Sequence, residues 1–288
     1  MKKQYRPYLY ITPAIIGILL FVIYPILHTI YLSFQSGSLI SSEFTFAGLD
    51  NYKSLLSNED FLGALKNTAI YTVSMVGVSI GLSLVFAVWL NKQSFMHKLT
   101  QTVIFTPHLV SLVSIGVLFM WIMNPDYGFL NWVLDSIGLP TSKWLSSEKS
   151  ALFSIILVGI WKTVGYNTLI FIAGLQSIPK YIYEAANLDN SGKIRTFFKI
   201  TLPLLSPTLF FLLITTTTSS FQVFDLVNVM TKGGPINSTN MLVYYIYEAG
   251  FRYFDIGSAS AASVFLIILV GFLTFAHFKL LAKKVHYQ

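Results

Sequence analysis

Six long apolar runs alternate with short polar segments along the chain, at residues 8–34, 67–90, 102–123, 151–175, 202–224 and 258–281. A bilayer's hydrocarbon core is about 30 Å thick and takes roughly 20 helical residues to cross. Each run reaches that length, and none contains an acidic residue. Pro25, Pro107, Gly165 and Gly271 fall inside the runs. In water they would argue against helix, but in lipid neighbouring helices satisfy the backbone groups they free. The pattern predicts an all-α bundle of six transmembrane helices. Lys2, Lys3 and Arg6 precede the first run as they would in a signal peptide. That run exceeds the apolar core of about 7–15 residues of such peptides, and no small-residue cleavage pattern follows, so a retained helix is expected.

Charge sets the expected orientation. Segments on the side of the N-terminus carry Lys2, Lys3, Arg6, Lys92, Lys98, Lys180, Lys193, Arg195, Lys199, Lys279, Lys283 and Lys284. The opposite loops hold only Lys53, Lys66, Lys143, Lys149, Lys232 and Arg252. Basic residues favour the cytoplasmic side, which places both termini in the cytoplasm. Only 11% of the 288 residues are charged, against about 25% in a soluble domain. The net charge of +7 therefore reads as lysines at a membrane face, and nucleic acid is not an expected partner. One integral membrane domain over 1–288 is expected, with no second soluble domain and no clear repeat.

Absences narrow the chemistry. With no cysteine, the chain has neither a disulfide framework nor thiolate chemistry. It has no H-E-x-x-H zinc helix and no phosphate-gripping G-x-x-x-x-G-K-[ST] loop. No catalytic residue and no metal site is expected, and the chain does not read as an enzyme. His28, His108 and His277 are expected to be packed or interfacial and not parts of a proton relay. If transport is active, ATP must be bound by another polypeptide.

The segment 177–202 stands out. Ser177 and Pro179 suit a helix start, and Tyr181, Glu184, Ala185 and Leu188 share one face at helical spacing. Asn190, Ser191 and Gly192 form a break, because Asn and Gly accept positive φ. A second short helix from Lys193 to Ile200 leads to Pro203 at the start of the fifth run. The small pair Ala185–Ala186 suits docking into a partner's cleft. An amphipathic helix lying on lipid is the plainer alternative.

Glu184-Ala185-Ala186, then Asp189 and Asn190, then Ile200, Leu202 and Pro203 resemble the E-A-A loop of bacterial ABC importer permeases. Asn190 stands where that family usually has glycine. Four further fragments resemble the sugar-permease branch, which includes maltose, raffinose, multiple-sugar and glycerol-phosphate permease subunits. They are Phe46 to Tyr52 followed by Ala64 to Thr68; Trp121, Asn124 to Gly128 and Asn131; Gly174 to Pro179; and Thr231 to Pro235 with Ser238 and Thr239. The resemblance implies a type I importer permease with its core over 67–281. It also implies a second homologous permease, two cytoplasmic ATPase subunits that bind the ATP, and an extracytoplasmic solute-binding protein. Tyr181, Glu184, Ala185, Ala186, Asp189, Asn190, Gly192, Ile200, Leu202 and Pro203 would couple to the ATPase, with Pro203, Phe197, Phe198 and Leu202 stiffening the connection. The outer-loop fragments would dock the binding protein, or cap the helix ends, or both.

For the solute pathway, a sugar needs stacking surfaces and neutral hydrogen-bonding groups. Trp161, Lys162, Tyr166 and Asn167 in the fourth run and Thr216, Ser219 and Gln222 in the fifth supply them. Small hydroxyl residues in membrane helices also serve ordinary packing. Lys162 has no acid in any run to pair with, which leaves a carbonyl, water, the partner permease or the solute. By the resemblance the sequence reads as a sugar permease, with an oligosaccharide favoured. Glycerol phosphate or another non-sugar solute, and a membrane scaffold without transport, remain the alternatives.

Overall fold

The computed structural model describes residues 6–37, 44–92 and 94–281. Lys2, Lys3, Lys283 and Lys284, part of the charge asymmetry, lie outside these residues. In chain order the elements are α1 (Tyr10–Leu32), a hairpin of β1 (Gln35–Gly37) and β2 (Phe44–Phe46), α2 (Asp50–Ser57), α3 (Glu59–Leu90), α4 (Phe95–Leu109), α5 (Leu112–Ile122), α6 (Phe129–Ser136) and α7 (Glu148–Ser177). There follow α8 (Lys180–Leu188), α9 (Lys193–Thr196), α10 (Ser206–Phe221), α11 (Asp225–Met230), α12 (Leu242–Tyr247) and α13 (Ile256–Leu281). Five stretches are long and apolar enough to cross a membrane: α1, α3, α7, α13 and residues 206–230. The antiparallel hairpin pairs Gln35 with Phe46 and is the only sheet among the described residues.

Three spans depart from the runs read in the sequence. The second helix starts at Glu59, eight residues before the apolar run, because Asn58 Oδ1 accepts the Phe61 N–H at 3.0 Å and caps a polar first turn. The third run is two helices meeting at 100°. Pro107 supplies no N–H, and Val110 and Ser111 are extended (ψ 141° and 137°), so the helix stops and restarts. The fifth run stops at Phe221 and resumes at Asp225.

The chain divides into two compact units. One comprises residues up to 62 together with 245–269. In it Phe61 is fully buried, with edge-on rings from Tyr245 and Phe265 at 5.5 and 5.3 Å. Asn51 Nδ2 donates to the Ser33 and Gln35 carbonyls, and Ser33 Oγ shares a hydrogen bond with the Tyr52 hydroxyl. The Gly48-to-Tyr52 fragment is therefore a clasp that fixes the end of α1. The unit's helix α1 buries none of its most apolar window, which leaves that surface to lipid or a partner.

The other unit comprises residues 63–244 and the chain from 270 onward. Its core lies where α3, α7 and α10 meet: Ala87, Leu90, Phe171, Leu175, Leu205 and Leu212 are packed together. Small and hydroxyl residues let the helices approach, as in other membrane bundles. Ser83 Oγ donates across to the Val164 carbonyl at 3.0 Å, and Gly159 faces Tyr71 with no room for a side chain.

Candidate functional site

The break in the third span is built around Lys162 of α7. When α4 ends, its last carbonyls lose their intrahelical donors. The Lys162 Nζ donates to the carbonyls of Pro107 (3.2 Å), His108 (3.2 Å) and Val110 (2.7 Å). A cation there also complements the negative end of the helix dipole. On insertion scales a lysine at membrane depth costs about 2.5–3.5 kcal/mol. Hydrogen bonds to charged groups contribute about 1.5–3 kcal/mol each, so three of them offset that cost. Carbonyls thus answer the question of what Lys162 pairs with.

The same face of α7 grips α4 again one turn on. A side chain at Gly165 would overlap the Ile104 carbonyl and meet the Phe105 Cα at 2.9 Å, so only glycine allows the two backbones to touch. The His108 ring stacks on Tyr166 with centroids 4.4 Å apart and planes 13° apart.

Beside this break lies a cavity of about 260 Å³ between α7 and α10. Lys162, Tyr166, Asn167, Thr216, Ser219 and Gln222 all line it. Trp161, read as part of the same set, does not. It turns to Phe119 of α5, with ring centroids 5.1 Å apart, because one residue along a helix rotates a side chain about 100° away. Asn167 is 2% exposed, and its Nδ2 has no hydrogen-bond partner among the described residues. A buried donor in that state loses about 1–3 kcal/mol unless something else accepts from it. The Thr215–Ser220 run is mixed. Thr215 and Ser220 return their hydroxyls to carbonyls of their own helix, and Thr217 is buried away from the cavity. Tyr71, His108 and Asp225 also line the cavity and were not read as pathway residues. The signal for His108 is its place beside Pro107 in mid-run, where a helix can break.

The segment between α7 and α10 forms a helix, a tight turn and a second helix. Ser177 does not cap α8: it is the last residue of α7, its hydroxyl donates to the Gly174 carbonyl, and Pro179 takes the cap position. In α8 the pair Ala185–Ala186 divides. Ala186 is 5% exposed, while Tyr181, Glu184, Ala185 and Leu188 face outward. Ile182 and Tyr183 pack against the core of Phe171, Leu175, Ile178 and Leu205. Asp189 closes α8, and Asn190 follows in the left-handed conformation at φ 51°. Asn190 N–H donates to the Asn187 carbonyl and Ser191 N–H to the Ala186 carbonyl, a Schellman end. Gly192 has φ −63° and precedes α9, so the left-handed residue is Asn190 alone. Phe197 to Thr201 form one wide π-helical turn that includes Ile200, and Leu202 and Pro203 continue it. Phe198 is exposed, and the packing at this end comes from Leu204 and the fully buried Leu205.

The other fragments are hydrogen-bonded frames within and between loops. Asn124 Oδ1 accepts from the Asp126 and Tyr127 N–H groups. Asn131 Nδ2 donates to the Pro125 and Ser142 carbonyls, while its Oδ1 accepts from Trp144 Nε1. Thr239 Oγ1 lies 2.8 Å from Thr231 Oγ1 and 2.7 Å from the Gly234 carbonyl, two acceptors that share its single proton. Asn67 donates to the Asn237 and Asn240 carbonyls, and Thr68 Oγ1 accepts from Leu242 N–H.

Comparison with known proteins bears on this architecture. The family described as binding-protein-dependent transport system inner membrane component matches residues 64–287. The sn-glycerol-3-phosphate transport system permease protein UgpA of Agrobacterium fabrum is 35% identical, over 98% of this chain and 96% of that protein. The protein of the same name from Pectobacterium atrosepticum is 33% identical, over 100% and 97%. A chain in the crystal structure of a bacterial alginate ABC transporter, in complex with an alginate pentasaccharide-bound periplasmic protein, superposes with a TM-score of 0.83. It covers 96% of this chain and 93% of that one at 23% identity, a likeness of fold. The six-span bundle is thus that of an ABC importer permease set in the inner membrane. The chain belongs to the binding-protein-dependent transport system inner membrane components.

Proposed function

We propose that this permease subunit of an ABC importer carries a sugar, with an oligosaccharide favoured, through a pathway of which it forms half. A second homologous permease would supply the other half. Two cytoplasmic ATPase subunits would bind ATP, and an extracytoplasmic binding protein would deliver the solute. Both termini would be cytoplasmic, as the lysine asymmetry favours.

The observation that carries the solute reading is the cavity lining. The stacked Tyr166 and His108 rings offer an apolar face, and Asn167, Thr216, Ser219 and Gln222 offer neutral polar groups. Sugar rings need both. Glycerol phosphate is the second reading, supported by the name shared by relatives that are 33–35% identical over nearly the whole chain.

Coupling would run through α8. Tyr181 and Leu188 are 68% and 85% exposed, an apolar surface suited to an ATPase cleft. Ile182 and Tyr183 hold the other face to the span core, so a push on α8 moves packed helices as a body and does not bend a loose loop.

Uptake of radiolabelled maltose, raffinose and sn-glycerol 3-phosphate, compared between a deletion strain and its complemented form, tests the substrate. Restored sugar uptake supports the first reading. Restoration confined to glycerol phosphate replaces it with the second.

A further inference from the structure

The third span is bent by 100° between Leu109 and Leu112, and two adjacent residues of α7 hold the two arms of the bend. Lys162 donates to three carbonyls at the end of α4 and in the link. Trp161 sets its ring against Phe119 of α5. An ammonium group has three protons. All three are directed at backbone oxygens, which leaves none for a solute. One of those oxygens belongs to His108, whose ring forms part of the cavity wall by stacking on Tyr166.

We propose that Lys162 is a positioning residue for transport and not a ligand of the transported solute: it fixes the bend of the broken span and thereby seats the His108 ring on Tyr166 at the cavity wall. The inference rests on the cavity being the solute pathway.

It follows that loss of Lys162 impairs every solute alike, by disordering the wall, whereas loss of a charge ligand would weaken only anionic solutes. The chain contains no cysteine, so with cysteine-free partner subunits paired spin labels can be placed in it without background. Val103→Cys on α4 and Val117→Cys on α5 are 62% and 58% exposed and report the bend. The distance between nitroxides at these positions would be measured in the full transporter in nanodiscs. Initial rates of maltose and sn-glycerol 3-phosphate uptake would be measured in proteoliposomes.

With Lys162 the distance distribution is narrow, and Lys162→Met broadens and displaces it. In the same variant maximal uptake falls about ten- to a hundredfold, with little change in KM, for whichever solutes are carried. Lys162→Arg keeps charge and donors on a longer head. It restores the narrow distribution and most of the uptake, and it remains informative if the methionine variant does not assemble. Unchanged distances in Lys162→Met overturn the proposal, as does a displaced distribution with normal uptake. A rise in KM confined to glycerol phosphate, in either variant, also overturns it and makes Lys162 an anion ligand. If the parent transporter carries neither solute, the substrate reading fails on its own, while the distances still decide whether Lys162 fixes the bend.

Discussion

The Ser191 N–H donates to the Ala186 carbonyl at 2.9 Å, and the bond closes only because Asn190 between them is left-handed at φ 51°. Asn190 stands where the resembled loop usually carries glycine, and it adopts the conformation that glycine would supply. For most L-residues that conformation costs about 1–2 kcal/mol, and most for β-branched ones. Asn190→Val should therefore open the turn, raising amide exchange at Ser191 about five- to thirtyfold, and reduce uptake. Asn190→Gly should keep both near the parent values. Hydrogen–deuterium exchange with peptide-level readout measures the first effect, and solute uptake the second.

The division of α8 into two faces separates packing from coupling. Ala186 is nearly fully buried, and Ala186→Leu overfills its site at a cost of about 1–3 kcal/mol. A lowered melting temperature of the purified transporter is the expected result. Glu184 faces outward, and Glu184→Lys should leave that temperature unchanged while cutting uptake and ATPase co-purification. If Glu184→Lys transports normally, the outward face of α8 is not the coupling surface.

Gly165 permits the backbone contact between α7 and α4. Gly165→Ala drives a methyl group into the Ile104 carbonyl. Backbone cannot swing aside as a side chain does, so the loss should reach the upper part of the roughly 1–3 kcal/mol range for overpacking. Thermal unfolding in detergent should show it, together with weaker expression in the membrane. Gly192→Ala, where nothing described stands within 4 Å of the added carbon, is the packing control and should cost only the N-cap preference for glycine over alanine, at most about 1 kcal/mol.

Asn167 offers a test of the cavity that stability does not confuse. Its Nδ2 is buried without a partner among the described residues, so Asn167→Leu removes none of their hydrogen bonds from that atom and relieves an unpaired donor. The melting temperature should hold or rise while the KM for the solute increases about tenfold. Trp161→Ala should do the reverse. It removes the Phe119 contact, worth about 0.5–1.5 kcal/mol beyond simple burial, with KM preserved.

Hydropathy and charge by themselves determined the six-span bundle, and the E-A-A loop with its neighbouring fragments determined the family. These signals are local or additive: twenty apolar residues insert as helix wherever they stand, and a turn needing positive φ selects Asn or Gly in place. Tertiary structure decided the rest. A mean hydropathy cannot show that residues 102–123 bend by 100°, because the bend is held by Lys162, more than fifty positions away in the chain. Periodicity cannot say which of Ala185 and Ala186 faces the protein, since that depends on where the core of Phe171, Leu175 and Leu205 lies. Nor could the sequence separate Trp161 from Tyr166, or the cavity-lining Thr216 from the packed Thr217. Which side of a helix meets a cavity is fixed by its neighbours, and in lipid every side of these helices is apolar enough to insert.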